Sequence, residues 1–383
     1  MIKINENHVS DEKIPRKPRI LVAPLDWGLG HATRCIPVIY ELLKYSDVWL
    51  AGEGAQQVLL TQEFPGLPFL PLRGYRVKYS ARSWTLPLKL ILQSRRLLKA
   101  IKEENEWLKN AVKKYQFDAV IADNRFGLYH DQITSVFITH QLALKTPLSK
   151  PITKLFRQRN YRFINRFTNC WVPDEKGENN LAGELSHPVE LPEMGVEYIG
   201  PLSRLTKTDE PVRKKHLFIS LSGPEPQRSI FENKIINDIS HYNGTATIVR
   251  GLPGESSLIP STNDIRFYNH LPLEEYNKEM QSAEFVISRS GYSTIMDLAR
   301  VGRQSILVAT PGQPEQEYLA AYLAEKGFAY AVSQKKFSLN EALHAAQKFN
   351  YRITPQSAGQ QLTDIVHEFI SRLEATIYSV ERG

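Results

Sequence analysis

The sequence predicts an α/β protein with two doubly wound, Rossmann-like domains that face each other across a cleft. Three observations predict this fold. The chain has 383 residues, which is enough for two domains of roughly 100–200 residues each. Short apolar, β-branched runs alternate with helical patterns, as in a parallel sheet that is covered on both faces. The same alternation begins again after a polar stretch at 203–215 that carries charges and a proline.

The first half supplies five strand candidates behind a polar arm, residues 1–18. We expect a helix from His31 to about Lys44, a short helix after the second strand, and a long amphipathic helix over 87–115. The predicted N-terminal domain covers residues 19–202. Its strand candidates are RILVAPL (19–25), DVWLAG (47–52), LPFLPL (67–72), FDAVIADN (117–124) and SVFITHQ (135–141).

The second half repeats this architecture without a visible sequence repeat. The predicted C-terminal domain covers residues 216–350, with helical patterns between most of its strands. After Pro355 a last helix pattern has no strand to follow, so we expect residues 351–383 to pack back toward the N-terminal domain. The strand candidates are HLFISLSG (216–223), ATIVRG (246–251), DIRFYNHL (264–271), AEFVISRSG (283–291), QSILVAT (304–310) and FAYAVS (328–333).

Composition excludes several classes of protein. With 42% hydrophobic and 23% charged residues, the chain is neither disordered nor fibrous. Cys35 and Cys170 are the only cysteines, which excludes a disulfide scaffold and a cysteine-rich zinc site. The N-terminus lacks a signal-peptide pattern, and no run reaches the roughly 18 apolar residues of a membrane span. We therefore expect a cytoplasmic protein, with peripheral attachment to the inner face of the membrane left open.

The positive charge is unevenly distributed along the chain. The net charge is +7, and residues 132–173 hold seven Lys or Arg and no acid. Either these residues form a solvated face, or they attract an anionic partner such as a membrane surface. No nucleic-acid partner is expected, because the aromatic residues are not interleaved with the basic ones. An apolar stripe within the basic segment 73–114 fits a bilayer surface or a core-packed helix; it consists of Trp84, Leu86, Leu88, Leu90 and Ile91 among Arg82, Lys89, Arg95 and Arg96.

The loop after the first strand is the first candidate for chemistry, because ligands of doubly wound sheets bind beyond the carboxyl ends of the strands. In the loop at 26–34, Gly28 and Gly30 allow a ligand to approach the backbone, and the following helix offers free N–H groups. His31 stands at the helix start, where a neutral imidazole can take a proton from a hydroxyl group. The alternative is a histidine that only caps the helix.

Loops of the second half suit a phosphorylated sugar. Ser290 and Gly291 open a helix directly after a strand, which suits phosphate oxygens. Asp297, on that helix, can accept hydrogen bonds from ribose hydroxyls or can simply favour the helix dipole. The loop at 310–317 offers Gln313 and Gln316 to a polyhydroxylated sugar. Ser222 and Gly223 form a weaker loop of the same type.

Several catalytic motifs are missing from the sequence. It has no Walker A loop, no HExxH, no Asp-X-Asp and no GxSxG. We therefore expect neither a cofactor nor a resident metal ion.

Residues 286–329, VISRSGYSTIMDLARVGRQSILVATPGQPEQEYLAAYLAEKGFA, resemble the C-terminal domain of GT-B glycosyltransferases of family 28, which include the lipid-linked N-acetylglucosaminyltransferases of peptidoglycan synthesis. The resemblance implies that Ser290 and Gly291 face the donor pyrophosphate and that Asp297 holds the ribose, although the family has Glu there. It also implies that Gln316 contacts the donor sugar and that the backbone near Leu271 reads the base.

The first half resembles the same family at two segments. Gly28-Leu29-Gly30-His31 is similar to the family's Gly-Gly-His loop, which faces donor phosphate and acceptor. His140-Gln141 is similar to a cleft segment in which His is followed by Glu-Gln, but the Glu is absent here. Many inverting GT-B enzymes pair a cleft His with an Asp, and Asp123 is the candidate partner of His31 by topology.

GLGHATRC (28–35) also resembles the GxGHxxR loop of nucleotide-sugar hydrolases in nonulosonic acid synthesis, which share the GT-B fold and use this histidine to activate water. Transfer and hydrolysis therefore differ only in the nucleophile. Those hydrolases are shorter and lack a segment like 73–114, which favours transfer.

The expected function is therefore an inverting, metal-independent glycosyltransferase. We expect a nucleotide-diphosphate sugar, a UDP-sugar first, as donor and a sugar or a lipid-linked or cell-envelope glycan as acceptor. His31, oriented by Asp123, takes the acceptor proton; Arg34 and His140 lie on the acceptor side, and Arg289 is a further donor-side cation. The alternatives are a nucleotide-sugar hydrolase and a non-catalytic nucleotide-sugar-binding module.

Overall fold

The computed structural model describes residues 16–26, 28–75, 86–143, 145, 150–353 and 359–382, without the side chains of 86–94, 150 and 380–382. The predicted apolar stripe from Trp84 to Ile91, with Arg82 and Lys89, lies outside the described residues and side chains. Trp27 and nearly all of the N-terminal arm lie outside them as well.

The first half forms a parallel sheet of seven strands in the order β3-β2-β1-β4-β5-β6-β7. Its strands are β1 (Arg19–Pro24), β2 (Asp47–Gly52), β3 (Phe69–Pro71), β4 (Ala119–Asp123), β5 (Thr134–Ile138), β6 (Asn169–Val172) and β7 (Gly195–Tyr198). Its helices are α1 (Leu29–Leu43), α2 (Gly54–Glu63), α3 (Leu86–Tyr115) and α4 (Lys150–Ile164).

The second half forms a parallel sheet of six strands in the order β10-β9-β8-β11-β12-β13. Its strands are β8 (Arg213–Ser220), β9 (Thr245–Val249), β10 (Ile265–Tyr268), β11 (Ala283–Ser288), β12 (Ser305–Leu307) and β13 (Tyr330–Ala331). Its helices are α5 (Gln227–Ile239), α6 (Leu273–Ser282), α7 (Tyr292–Val301), α8 (Pro314–Glu325) and α9 (Leu339–Lys348). Two parallel sheets covered by helices confirm the predicted fold class.

The central strands are buried on both faces, which explains their continuous apolar runs. All of β4 is buried, as is β1 after its first residue. The strand register determines which loops meet. Pro24 at the end of β1 lies opposite Asp123, and Asp123 lies opposite Ile138 at the end of β5. Three neighbouring strands therefore end level, and the loops that follow them meet at one edge.

The structure adds elements that the sequence analysis missed. Strands β6 and β7 and helix α4 were not predicted. Strand β7 has no buried residue, and the three buried residues of β6 stand alone between polar segments, so neither strand lies in a longer apolar run. Strand β8 also begins at Arg213, inside the stretch predicted as a linker, because its first three residues are exposed and polar.

The last helix, α10 (Gln360–Arg382), packs on the first half. Phe369 meets Trp171 edge-on, with ring centroids 5.3 Å apart. The Nε2 atom of Gln361 donates to Glu175 Oε2 at 2.7 Å. The exact domain boundaries, 19–202 and 216–350 with the terminal segment from 351, stay a prediction.

Candidate active site

The first half brings three predicted residues to one edge of its sheet. His31 lies in the first turn of α1, Asp123 ends β4 and His140 follows β5 closely. Gly28 precedes α1 with a φ of +88°, a left-handed conformation that favours glycine. A Cβ atom there would meet nothing within 4 Å, so this side of the loop is open to a ligand.

His31, Asp123 and Arg34 form a tight cluster. The Nδ1 atom of His31 lies 3.2 Å from Asp123 Oδ2. Arg34, one helical turn after His31, donates from Nε to Asp123 Oδ2 at 2.7 Å and from Nη2 to Asp123 Oδ1. The same Nη2 atom lies 2.9 Å from His31 Nδ1. Asp123 is fully buried, whereas the His31 side chain keeps 17% of its surface exposed, so only the histidine can meet a substrate.

Burial and charge set the protonation states of this cluster. Burial would raise the pKa of the Asp123 carboxyl, but Arg34 and His31 outweigh it and lower that pKa to about 2. Burial lowers the pKa of His31, and Arg34 adds to this, while Asp123 opposes it. At neutral pH the aspartate is therefore charged and the imidazole is neutral, as a general base requires.

His140 joins this cluster to the second half. Its Nδ1 atom lies 3.2 Å from Arg34 Nη1, and its Nε2 atom lies 2.8 Å from Oε1 of Glu315 in the first turn of α8. Gln141 donates to the other oxygen of that carboxylate. The His140 ring stacks on Tyr292 of α7 with centroids 4.1 Å apart. The carboxylate of one half thus holds a side-chain pair of the other.

The predicted acceptor-side roles of Arg34 and His140 do not agree with these positions. Arg34 is 3% exposed and His140 is 4% exposed. Arg34 is committed to Asp123, and His140 lies between Arg34 and Glu315. Both side chains therefore lie behind the base instead of facing an acceptor.

The two halves meet where α1 and α7 begin. The Oγ atom of Ser293 donates to the carbonyl oxygen of Gly30 at 3.0 Å. A Cβ atom on Gly30 would lie 2.9 Å from that Oγ, so glycine permits this approach. The first turns of both helices therefore lie next to one another, and the dipole of each helix favours an anion near its N-terminal amide groups.

Three loops of the second half also gather at one edge, because β8, β11 and β12 are neighbours. Gly291 caps α7, and a Cβ atom there would meet nothing within 4 Å. Ser290 is buried and donates to the backbone oxygen of Gln316 at 2.8 Å. The side-chain oxygen of Gln316 accepts from the Thr310 amide at 2.9 Å. Gln313 caps α8, and the exposed Ser222 and Gly223 follow β8.

Arg289 does not reach the open side of these loops. It is 1% exposed and donates to Val308 O at 3.2 Å and to Gln227 O at 2.8 Å. Its guanidinium also lies over the Phe231 ring, 4.5 Å from the centroid. Burial lowers its pKa to about 10. The predicted direct contact of Arg289 with the donor therefore does not agree with its position, which is beneath the loops it ties together.

Asp297 contacts the segment between the two halves, and Leu271 lies in the core. The Oδ1 atom of Asp297 accepts from Ser203 Oγ at 2.5 Å, and burial raises its pKa to about 6 against the opposing effects of Ser203 and Arg204. The side chain of Leu271 belongs to the core, which leaves only its backbone for a ligand. The predicted ribose contact of Asp297 therefore competes with Ser203.

An open cavity of about 410 Å³ lies beside the base loop in the first half. Gly28 and Leu29 line it together with the start of α2. Asp26 and Glu53 also line it, and both accept from backbone amides: Tyr75 N donates to Asp26 at 2.9 Å and Gly74 N to Glu53 at 2.9 Å.

Two partners in this site were not predicted in the roles that they have. Arg34 was predicted on the acceptor side, but its spacing of three residues puts it on the helix face of His31 and could have indicated that it reaches Asp123. No sequence pattern indicated a role for Glu315 in the site, because an acid in the first turn of a helix is usually explained by the helix dipole.

Within the described ranges, no cluster of three or more His, Cys, Asp or Glu side chains could hold a metal ion. Among the helices described, none is long and apolar enough to span a membrane.

Comparison with known sequences finds a similarity to one family within the second half. Residues 260–369 match the glycosyltransferase family 28 C-terminal domain. Over 369 residues the chain is 24% identical to a UDP-N-acetylglucosamine–N-acetylmuramyl-(pentapeptide) pyrophosphoryl-undecaprenol N-acetylglucosamine transferase of Haemophilus ducreyi, covering 88% of this chain and 96% of that protein. A protein of the same name from Methylorubrum extorquens is 40% identical over 74 residues, 19% of each chain.

Solved structures agree on the fold. A glycosyltransferase of kitacinnamycin aligns with a TM-score of 0.61 at 14% identity, over 96% of this chain and 99% of the other. UGT89C1 of Arabidopsis thaliana, solved with UDP-L-rhamnose, aligns with a TM-score of 0.57 at 10% identity, over 94% and 95%. These likenesses confirm the GT-B fold.

Proposed function

We propose that this chain, a glycosyltransferase of the family 28 type, transfers a sugar from a nucleotide-diphosphate sugar to an acceptor hydroxyl with inversion and without a metal ion. One observation carries the proposal. A neutral, partly exposed His31, backed by Asp123 at 3.2 Å, lies in the first turn of α1, where the neighbouring Gly30 touches the start of α7. A base and an anion-binding helix end therefore lie next to each other, as the attack on a glycosyl diphosphate requires.

The proposed reaction is a single displacement. With the His31 proton on Nδ1 and donated to Asp123, Nε2 takes the proton of the acceptor hydroxyl. The acceptor oxygen forms a bond to the anomeric carbon, and the bond from that carbon to the diphosphate oxygen breaks. The leaving diphosphate carries away the electron pair, and the amide groups at the start of α7 stabilise its charge. Such positioned base catalysis contributes about 10²–10⁴-fold to the rate.

The donor is proposed to be a UDP-sugar bound by the loops of the second half. The relatives reported above are named for UDP-N-acetylglucosamine. The open side of Gly291 suits a pyrophosphate, and Gln316 lies one loop away for the sugar. A metal-independent reaction needs protein groups to stabilise the diphosphate, and the N-terminus of α7 offers them, so an added chelator should leave turnover unchanged.

The acceptor is proposed to be lipid-linked, as the relatives' names state for their own substrates. The cavity is lined by Gly28 and Leu29, which precede His31 in the chain, and it supports an acceptor site in the first half. Family members that use such acceptors must reach a membrane surface, so a cytoplasmic, peripheral location is part of the proposal.

Helix α4 supports binding to an anionic membrane. Its outward side carries two exposed apolar side chains, Ile152 (43%) and Leu155 (65%). Lys154, Arg159 and Arg162 are exposed on the same helix, which contains no acidic residue. An apolar strip with flanking cations is the pattern of a helix that lies on an anionic bilayer.

We expect the double variant Arg159→Glu with Arg162→Glu to weaken binding to anionic vesicles by at least about tenfold, since each basic residue near the surface contributes roughly 1 kcal/mol. Sedimentation with vesicles of phosphatidylglycerol and phosphatidylcholine measures this. Lys335→Glu with Lys336→Glu, two exposed cations of the second half, is the control with equal charge change. Equal loss in both variants would contradict a specific α4 contact.

We expect donor binding to strengthen as the pH rises through about 6, because the ionised Asp297 accepts hydrogen bonds from ribose better than its protonated form. Its folded pKa lies above the unfolded value of about 4, so its contribution to stability is full below about 4 and is lost as the pH rises through about 6. Calorimetry with UDP-N-acetylglucosamine in the absence of acceptor, a ligand whose diphosphate does not ionise near pH 6, should show the change in wild type and no such change in Asp297→Asn. A pH-dependent variant would contradict the ribose role.

The function is tested by the linkage of the product. The chain is incubated with a panel of nucleotide-diphosphate sugars and a lipid-extracted acceptor fraction, and the product is analysed by NMR. The expected product carries the sugar with the anomeric configuration opposite to that in the donor. Retained configuration would overturn inversion, and free sugar released without acceptor would favour the hydrolase.

A further inference from the structure

Five polar side chains form one continuous chain of contacts across the two halves. It runs from Glu315 through His140, Arg34 and Asp123 to His31. Four of these side chains belong to the first half, and only Glu315 comes from the second, in the first turn of α8. Tyr292 and Ser293 of the second half also touch His140 and Gly30, so Glu315 is the charged group that the donor half adds to this chain of contacts.

The direction of each hydrogen bond follows from the chemistry of arginine, which only donates. Because Arg34 Nη1 donates to His140 Nδ1 at 3.2 Å, that nitrogen carries no proton. The proton of a neutral His140 is then on Nε2, and it is donated to Glu315 Oε1 at 2.8 Å. Glu315 accepts from both His140 and Gln141, which fixes the carboxylate. His140, Arg34 and His31 hold its pKa below the usual range despite its burial, so it is charged at neutral pH.

Two groups compete for the Nδ1 atom of His31, one as an acceptor and one as a donor. Its Nδ1 atom lies 3.2 Å from Asp123 Oδ2 and 2.9 Å from Arg34 Nη2. If Arg34 donates to Nδ1, the proton of His31 is on Nε2, and the outward nitrogen cannot accept a proton. If Nδ1 donates to Asp123, Nε2 is free to act as a base. The position of the Arg34 guanidinium therefore decides the tautomer of His31.

We propose that Glu315 is a positioning residue for the base, and that it acts through His140. Its charge strengthens the acceptor at His140 Nδ1, draws the Arg34 guanidinium toward His140, and leaves His31 Nδ1 to donate to Asp123. A residue of the donor half thereby sets the tautomer of His31, the base in the acceptor half. This inference rests on the proposed function, since it presumes that His31 takes the acceptor proton.

Glu315→Gln tests the inference, because glutamine keeps the acceptor oxygen and removes the charge. We expect kcat to fall about 10- to 100-fold, the range that small misplacements of catalytic groups cost, with the donor KM changed less than about threefold. The acid limb of the kcat/KM profile should move to lower pH, because His31 loses a nearby negative charge that, with Asp123, favours the imidazolium against Arg34. Glu325→Gln, an exposed acid at the end of α8, is the matched control and should change neither quantity.

Two further readouts separate positioning from a general structural effect. With ¹⁵N-labelled histidine, the NMR signals of His31 should shift toward the Nε2-protonated tautomer in Glu315→Gln. His140→Phe keeps the ring on Tyr292 and removes both nitrogens. The double variant should be no slower than His140→Phe alone, because Glu315 acts through that ring.

Three outcomes would overturn the inference: an unchanged kcat in Glu315→Gln, a raised donor KM with unchanged kcat, or additive losses in the double variant. His31→Ala is assayed in parallel to separate the two proposals. If His31→Ala keeps full turnover, the proposed base fails whatever Glu315→Gln does. If His31→Ala is inactive and Glu315→Gln matches wild type, only the role of Glu315 fails.

Discussion

His31→Ala is expected to lower kcat by about 10²–10⁴-fold, the usual contribution of a positioned general base. Its side chain is the one member of the buried cluster with Asp123 and Arg34 that keeps an exposed edge. Donor affinity should change little, because the donor is proposed to bind to the loops of the second half. Steady-state kinetics and calorimetry with UDP measure the two quantities separately.

The matched control is His130→Ala, which removes another partly exposed imidazole from the same half. Its Nδ1 atom accepts only a local bond from the Gln132 amide at 3.1 Å among the contacts described. Turnover of this variant should equal that of wild type. Normal turnover in His31→Ala would contradict the role of His31 as the general base.

Asp123→Ala is expected to lower the free energy of unfolding by about 3–5 kcal/mol, because it leaves the buried Arg34 without its counter-ion. It should also lower kcat as strongly as His31→Ala, because nothing then holds the proton on Nδ1. Urea unfolding followed by circular dichroism gives the stability, and Asp123→Asn shows how much loss remains when the shape is kept.

The effect on stability should depend on pH. The folded pKa of Asp123, about 2, lies below the unfolded value of about 4. Its contribution is therefore full above about 4 and is lost as the pH falls toward 2. Glu368→Gln, which breaks an exposed pair with Arg372, serves as control and should cost less than about 1 kcal/mol. Equal losses in both variants would contradict a special role for the buried pair.

Local sequence patterns predicted the fold because a strand that is buried on both faces consists almost entirely of apolar residues. In β1 and β4 every residue after the first few is apolar or packed, so the runs at 19–25 and 117–124 could be recognised. The same argument predicted that His31 and Asp123 meet, because neighbouring parallel strands end at one edge. Strand β7 has no buried residue and β6 has only three, so neither left a comparable apolar run.

The rest of the site depends on contacts between distant segments. Glu315 and His140 are 175 positions apart, and no local rule links an acid at a helix start to a histidine after a strand of the other sheet. The burial of Arg289 could not be predicted either, because a basic residue in a loop has the same sequence pattern whether it faces a ligand or lies beneath the loop. Local sequence patterns therefore do not predict which side chains meet across the interface between the two halves.

The most direct test of the account follows the sugar itself. Wild-type chain is incubated with UDP-N-acetylglucosamine labelled in the sugar ring, with and without a lipid-linked acceptor fraction. If the chain is a transferase of this kind, the label enters the solvent-extractable product only when the acceptor is present, with one UDP released for each sugar moved. Label that accumulates as free sugar without acceptor, or a donor that is bound but never consumed, would contradict it.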